Sequence, residues 1–299
     1  YAAGATVISV AADRHCAAAG RNAGWRVAQS PIVLFLDGDT LLDQAFAAEA
    51  MRVFKDPQVA VVWGNRRELN PRASIYNRAL DLGWISRHGL CDSCGGDALI
   101  RRDVLQQAGG YDEHLLAGEE ADLCRRIRAL GYRIWHIDRP MTRHDLAMTH
   151  WRQYWRRAIH TGYGCAEVAE RYRSTSMPLW TKESQRNLMH GPALMLLLAA
   201  ALVLAIALKT IAPVVATAAI VAALILGTAW RCRSKSRDIV TLIAYGFHSH
   251  LQQIPIFFGQ LKYWRDSRRG RLTSAPAVAQ VPGQQATSAP PADDDRLAS

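Results

Sequence analysis

The chain has 299 residues, 49% hydrophobic and 21% charged, with 36 Lys and Arg against 26 Asp and Glu and a formal net charge of +10. Charge is spread through the first two thirds, whereas the stretch from Gly191 to Trp230 carries only Lys209, which argues against both a wholly soluble and a wholly membranous protein. A chain this basic points to an anionic partner: nucleic acid, a phosphorylated substrate or acidic lipid.

In chain order, Thr6–Val10 and Ile32–Leu36 are short apolar runs of strand length, and the Ala- and Arg-rich stretch from Cys16 to Gln29 between them reads as a helix. A helix over Ala45–Phe54 ends at Asp56-Pro57 and leads to a third buried strand, Val59–Trp63. Further helices are expected at Arg102–Ala108, closed by Gly109-Gly110, and at Glu120–Leu130, stopped by Gly131; a short strand follows at Tyr132–Ile137. This alternation implies an α/β layer domain with any ligand at the carboxyl ends of the strands.

Trp151–Tyr172 is basic and aromatic and reads as an amphipathic helix at an interface. Gly191–Leu208 and Ile211–Trp230 are each long enough to span a hydrocarbon core and lack a polar face. Only Lys209-Thr210 separates them, so they form a hairpin. Lys182 and Arg186 before it and Arg231, Arg233, Lys235 and Arg237 after it place both outer ends in the cytoplasm. Residues 239–271 mix apolar residues with His248, His250 and a terminal Arg cluster, which suits the surface of an acidic membrane. From Thr273 to Ser299 the composition is that of a disordered tail. The six cysteines follow no disulfide framework and suit a reducing compartment; Cys91 and Cys94 have a zinc-knuckle spacing, but no second pair follows.

Two acidic groupings stand out. Val33-Leu34-Phe35-Leu36-Asp37-Gly38-Asp39 delivers two carboxylates to the end of a buried strand, where they can hold a divalent cation beside phosphate oxygens; acidic pairs also cap turns. About eighty residues later, Glu119, Glu120 and Asp122 open a helix, which its macrodipole alone would explain.

Taken together with Gly20-Arg21-Asn22-Ala23-Gly24, the Gly95–Arg102 loop and Gly109-Gly110-Tyr111-Asp112-Glu113, these motifs resemble glycosyltransferase family 2, whose members are inverting, metal-dependent transferases of GT-A fold. The resemblance covers about residues 5 to 165. It implies a Rossmann-like GT-A domain over residues 1–172; by hydropathy and composition a linker at 173–190, a transmembrane helical hairpin at 191–230 and the interfacial segment at 239–271 follow it.

The implied activity is that of a hexosyltransferase. A sugar passes with inversion from a nucleotide-sugar donor to a hydroxyl of a lipid-linked or polysaccharide acceptor, at the cytoplasmic face of the inner membrane, in contact with membrane lipids. Nucleic acid is not an expected partner, since lipid accounts for the basic residues flanking the spans.

By the same resemblance Asp39 binds Mg²⁺ or Mn²⁺, with His144 as a possible further ligand, while Arg21, Asn22 and Asp37 contact the donor. Gly95, Gly96 and Asp97 form the acceptor-side loop. Glu120 stands where the family's catalytic Asp usually stands and takes the acceptor proton, with Glu119 or Asp122 able to share the task. Gln153-Tyr154-Trp155-Arg156-Arg157 only partly resembles the motif of processive synthases. The family's first strand and helix and an acidic strand end precede the region matching Thr6, so the parent chain is expected to be longer.

Two other readings compete. Asp37-Gly38-Asp39-Thr40 has a superficial likeness to the haloacid dehalogenase phosphatase motif, with its Thr one place early. A catalytically inactive membrane subunit binding saccharide or lipid is the other.

Overall fold

The computed structural model describes residues 4–10 and 16–270. Six strands, β1 (Ile32–Phe35), β2 (Thr40–Leu42), β3 (Val59–Glu68), β4 (Gly89–Cys91), β5 (Ala98–Arg101) and β6 (Arg133–His144), form one sheet. Its order is β1-β5-β3-β6-β2, with β4 also paired to β6. β3 and β6 are parallel, while β5 runs antiparallel to both β1 and β3. The carboxyl ends of β1, β3 and β6 therefore meet the entry to β5 along one edge of the sheet.

Period-two alternation sends neighbouring residues to opposite faces. Val61 and Ile100 join α1 (Ala17–Val27), α4 (Arg102–Ala108) and α5 (Glu119–Ala129) in one core, through Trp25, Leu105, Leu123 and Ile127. Val62 and Leu99 pack on the other face against Phe46 and Ala50 of α2 (Phe46–Val53) and Met141. The result is an α/β layer domain with helices on both faces of one sheet.

The expected strand at Thr6–Val10 is not formed. Residues 4–10 have no ladder partner, and Val7 is 61% exposed. The described sheet ends at β1, which pairs only with β5, so nothing beside the run buries its alternate side chains. Val59–Trp63 is the first, mostly buried half of β3, which continues to Glu68, and the expected Tyr132–Ile137 strand covers the first half of β6, which starts at Arg133 and continues to His144.

Helix α3 (Ile75–Gly83) is capped by Ser74, whose hydroxyl accepts from the Asn77 N–H at 3.0 Å. After the sheet come α6 (Trp151–Tyr172), α7 (Thr181–Ala207), α8 (Ala212–Arg231), α9 (Ile239–Leu251) and α10 (Gln253–Arg268). α7 begins ten residues before the apolar run, inside the expected linker. The segment expected on a membrane surface is two helices: α9 packs on α8 and α3, and α10 on α6 and α7. By length and composition α7 and α8 are each able to cross a membrane, with window mean hydropathies of 2.2 and 2.1 and only 11% and 17% of those windows buried. The expected disordered tail, 273–299, lies outside the described residues.

Candidate active site

The site lies at the carboxyl end of β1. Asp37 and Asp39 leave the strand in a turn held by Thr40, whose N–H and hydroxyl both donate to the Asp37 carbonyl at 3.2 and 2.8 Å. Antiparallel pairing of β2 with β6 sets Thr40 opposite His144, and the Asp145 N–H donates to the Asp39 carbonyl at 3.0 Å. His144 Nε2 thereby stands 3.1 Å from Asp39 Oδ1, and one ligand atom each from Asp37, Asp39 and His144 fall within 4.8 Å of one another. Burial and the nearby Arg66 charge lower the His144 pKa against the pull of both aspartates. The imidazole stays neutral near pH 7 and free to ligate. Its Nδ1 is buried with no partner. Two carboxylates and a neutral imidazole form a donor set that fits a divalent cation.

Arg21, from α1, joins this cluster to the acidic helix start. Nη2 donates to Asp37 Oδ1 at 2.8 Å, while Nη1 donates to Glu119 Oε1 at 2.9 Å and Glu120 Oε1 at 3.0 Å. The guanidinium lies over the Tyr111 ring at 5.4 Å, and Phe35 meets that ring edge-on. Burial alone would push the Asp37 carboxyl up, but the Arg21 hydrogen bond and charge, with Arg66, hold it below its ordinary value. Glu120 goes the other way: burial and the adjacent Glu119 raise its pKa more than Arg21 lowers it. Two carboxylates on one arginine are thus driven apart, the pattern that separates electrostatic from proton-accepting groups.

Two glycines permit this approach. A Cβ on Gly96 would stand 2.5 Å from Arg21 Nη2 and 2.8 Å from the Asp37 carboxylate. Gly118, the residue preceding α5, has φ +90°, and a Cβ there would meet the Trp180 ring at 2.7 Å.

Asp97, from the expected acceptor-side loop, is buried and supports Asp37: it accepts from the Asp37 N–H at 2.9 Å and from the Thr142 hydroxyl at 2.7 Å. Gly95 borders the loop entrance. Two expected residues are not brought to the cluster. Every hydrogen-bonding group of the Asn22 amide is used to fasten α1: it donates to the Tyr111 carbonyl and Glu113 and accepts from the Trp25 indole and the Tyr111 N–H, all within 2.9 Å. Asp122, 1% exposed, accepts from Arg126 at 2.9 and 2.6 Å and from the Tyr172 hydroxyl.

The structure adds residues that the motifs did not indicate. Arg66 donates to Asp37 Oδ2 at 3.3 Å, reaches Asp97 at 3.8 Å and lies 5.0 Å above the Trp84 ring, which in turn meets His144 edge-on. Arg157, on α6 and already part of the Gln153–Arg157 run, has its pKa lowered first by burial and then by the Arg66 charge, against the pull of Asp39. The available signal for Arg66 was the polar run Asn65–Glu68, which continues the Val59–Trp63 strand toward the same sheet edge.

A family model described as glycosyl transferase family group 2 matches residues 32–232. The pre-mycofactocin glycosyltransferases of Mycobacterium tuberculosis strains CDC 1551 / Oshkosh and ATCC 25618 / H37Rv are each 29% identical over 173 residues, 54% of this chain and 37% of theirs. The chain thus spans little more than a third of the length of these curated relatives. Among solved structures, a mannosyltransferase from Pyrobaculum calidifontis in complex with GDP-Man and Mn²⁺ is similar in fold, with a TM-score of 0.50 at 18% identity, covering 85% of this chain and 68% of that one. With a family match running from β1 to the end of α8, the chain belongs to glycosyl transferase family group 2.

Proposed function

We propose that the chain transfers a hexose from a nucleotide-sugar donor to an acceptor hydroxyl, with inversion. The observation that carries this reading is the Arg21 bridge, which sets a cation-ready cluster and a carboxylate with a raised pKa on either side of one guanidinium. Asp39 and His144, with Asp37 beside them, would hold Mn²⁺ or Mg²⁺, and such an ion supplies neutralising charge to a leaving diphosphate. Asp37 and Arg21 orient the donor, and Arg66 fixes Asp37 from the far side. Glu120 accepts the acceptor hydroxyl proton as the oxygen bonds to the anomeric carbon. The bond from that carbon to the diphosphate breaks, and the electron pair leaves with the diphosphate. Glu119 shares the Arg21 contact, while Asp122 supports the helix from within.

The GDP-Man and Mn²⁺ bound by the similar mannosyltransferase support a nucleotide-sugar donor. The lengths and composition of α7 and α8 support a membrane hairpin at 191–230, with the GT-A domain over 1–172, the linker and the basic 239–271 segment at the cytoplasmic face and a lipid-linked or polysaccharide acceptor presented there. The family match leaves the phosphatase reading without support. A screen of nucleotide-sugars for nucleoside diphosphate release, with and without Mn²⁺, tests the proposal. Metal-stimulated release from at least one donor is expected, and no release from any donor overturns it.

A further inference from the structure

Three cysteines converge beside the cluster. Cys91 and Cys94 border a cleft of about 460 Å³ that ends at Gly95, and both are partly exposed. Cys124, on α5, is buried behind them among Leu123 and Ile127. The Cys94 and Cys124 sulfurs stand 3.4 Å apart, and the Cys94 N–H donates to the Cys124 sulfur at 3.4 Å. Cys91 is engaged elsewhere: its sulfur accepts from the Trp63 indole at 3.2 Å, and its thiol donates to the Ile134 carbonyl at 3.6 Å. The pair is therefore made by packing, between Cys94 and Cys124, and not by the short spacing of Cys91 and Cys94.

A disulfide holds its sulfurs about 2.05 Å apart, so this pair would close by about 1.4 Å. Packing decides which side gives. α5 is fixed in the core by Leu123 and Ile127, and near its start Asp122 accepts from Arg126 and Tyr172. The chain at Gly95 is less confined, since a Cβ there would meet nothing within 4 Å. Cys94 thus moves toward Cys124. Two residues beyond Gly95, Asp97 accepts from the Asp37 N–H, and Gly96 has no spare room against Arg21 and Asp37. Cys124 in turn lies one helical turn past Glu120. Closure would pull the segment that seats Asp37 toward the helix that carries Glu120.

We propose that Cys94 and Cys124 form a thiol–disulfide exchange site for low-molecular-weight disulfides of the glutathione class, and that closing it arrests the adjacent site. Reversible, sensing bonds of this kind are the usual disulfides of reducing compartments. The Cys94 thiolate attacks one sulfur of the small disulfide, whose S–S bond breaks and releases a first thiolate. The Cys124 thiolate then attacks the Cys94 sulfur and releases the second. Two cysteines are oxidised, one small disulfide is reduced to two thiols, and the two cysteine protons end on those thiols. The contact with Cys124, and then burial, push the Cys94 thiol up, so it rests protonated and exchange is slow. The arrest rests on the transferase reading above; the bond itself does not.

The test equilibrates the full chain in lipid nanodiscs with glutathione buffers of rising disulfide-to-thiol ratio, blocks the remaining thiols with iodoacetamide and maps the tryptic peptides by mass. A bond joining the peptide of Cys94 to that of Cys124 is expected, and dithiothreitol should remove it. Metal-stimulated release of nucleoside diphosphate should fall about 10²-fold in the oxidised protein, the cost of an ångström of misplacement, and return on reduction. Cys94→Ala and Cys124→Ala should form no such bond and keep their activity in every buffer. Cys94 is partly exposed, so that variant decides if Cys124→Ala misfolds. Cys91→Ser should behave as the parent. A bond between Cys91 and Cys94 within one peptide, glutathione left attached to Cys94, or free thiols at every ratio overturns the exchange site. A bond that forms with turnover unchanged overturns the arrest. A bond that forms in a chain with no turnover, oxidised or reduced, keeps the exchange site and loses the transferase reading.

Discussion

At the scale of single residues, the site turns on where protons sit around Arg21. A base works only when deprotonated, so a raised Glu120 pKa places the acid limb of kcat/KM above the ordinary glutamate range. Arg21 opposes that rise, so Arg21→Gln should move the limb to still higher pH. Glu119 contributes to the rise, so Glu119→Gln should move it to lower pH. Glu120→Gln should cut turnover by about 10²–10⁴-fold with little change in donor affinity, because shape and most contacts persist. Opposite limb shifts in the Arg21 and Glu119 variants would identify the shared guanidinium as the cause; identical limbs in both would sink it.

The cation-ready cluster gives a second prediction at this scale. Asp39→Ala should abolish Mn²⁺-dependent donor binding, read by calorimetric titration with and without the ion, because a diphosphate would then face Asp37 and the glutamates uncompensated. His144→Ala should weaken the Mn²⁺ affinity while leaving a measurable site. A donor Kd in Asp39→Ala equal to that of the parent would make the acidic pair a turn cap and nothing more.

At the scale of elements, the parts that packing makes obvious were readable in the chain. Val59-Ala60-Val61-Val62 is apolar on both faces because helices cover both faces of β3, and the helix of α4 stops at Gly109 as its sequence indicates. The strand β5 escaped notice for the opposite reason. Four residues between Asp97 and a helix look like a loop until two neighbouring strands bury them. Asn22 shows the same limit at the site. A motif can indicate that an Asn sits near a nucleotide, but only packing shows that its amide joins α1 to the Tyr111 turn. Asn22→Ala should therefore act on stability: each buried donor left unpaired, the Trp25 indole and the Tyr111 N–H, costs about 1–3 kcal/mol. A lower chemical-denaturation midpoint with an almost unchanged donor Kd is expected. A folded variant with normal stability that no longer binds donor would return Asn22 to the donor site.

At the scale of the whole molecule, α7 and α8 present side chains that a water-soluble surface rarely carries together. Ile206 is 78% exposed and Leu196 69% on α7, and Leu226 57% on α8, helices that contribute little to the sheet domain. At 1.5 Å per residue, the 20 residues of α8 extend about 30 Å, the thickness of a bilayer core. α7 is longer, and its first turns carry Lys182, Glu183 and Arg186, so only its later part suits hydrocarbon. In the proposed hairpin the turn at Lys209 and Thr210 would mark the far side, and the charges of Arg231, Arg233, Lys235 and Arg237 would hold the near side. In intact cells a membrane-impermeant maleimide should label a cysteine introduced at Thr210, in a background whose only native cysteine is Cys232, and leave Cys232 unlabelled until the cells are opened. Labelling of Cys232 but not of residue 210 would invert the hairpin and place the sugar-transfer site outside. Labelling of both in intact cells would mean that the two helices do not separate their ends across a membrane. Their apolar faces would then need another cover, such as a second copy of the chain.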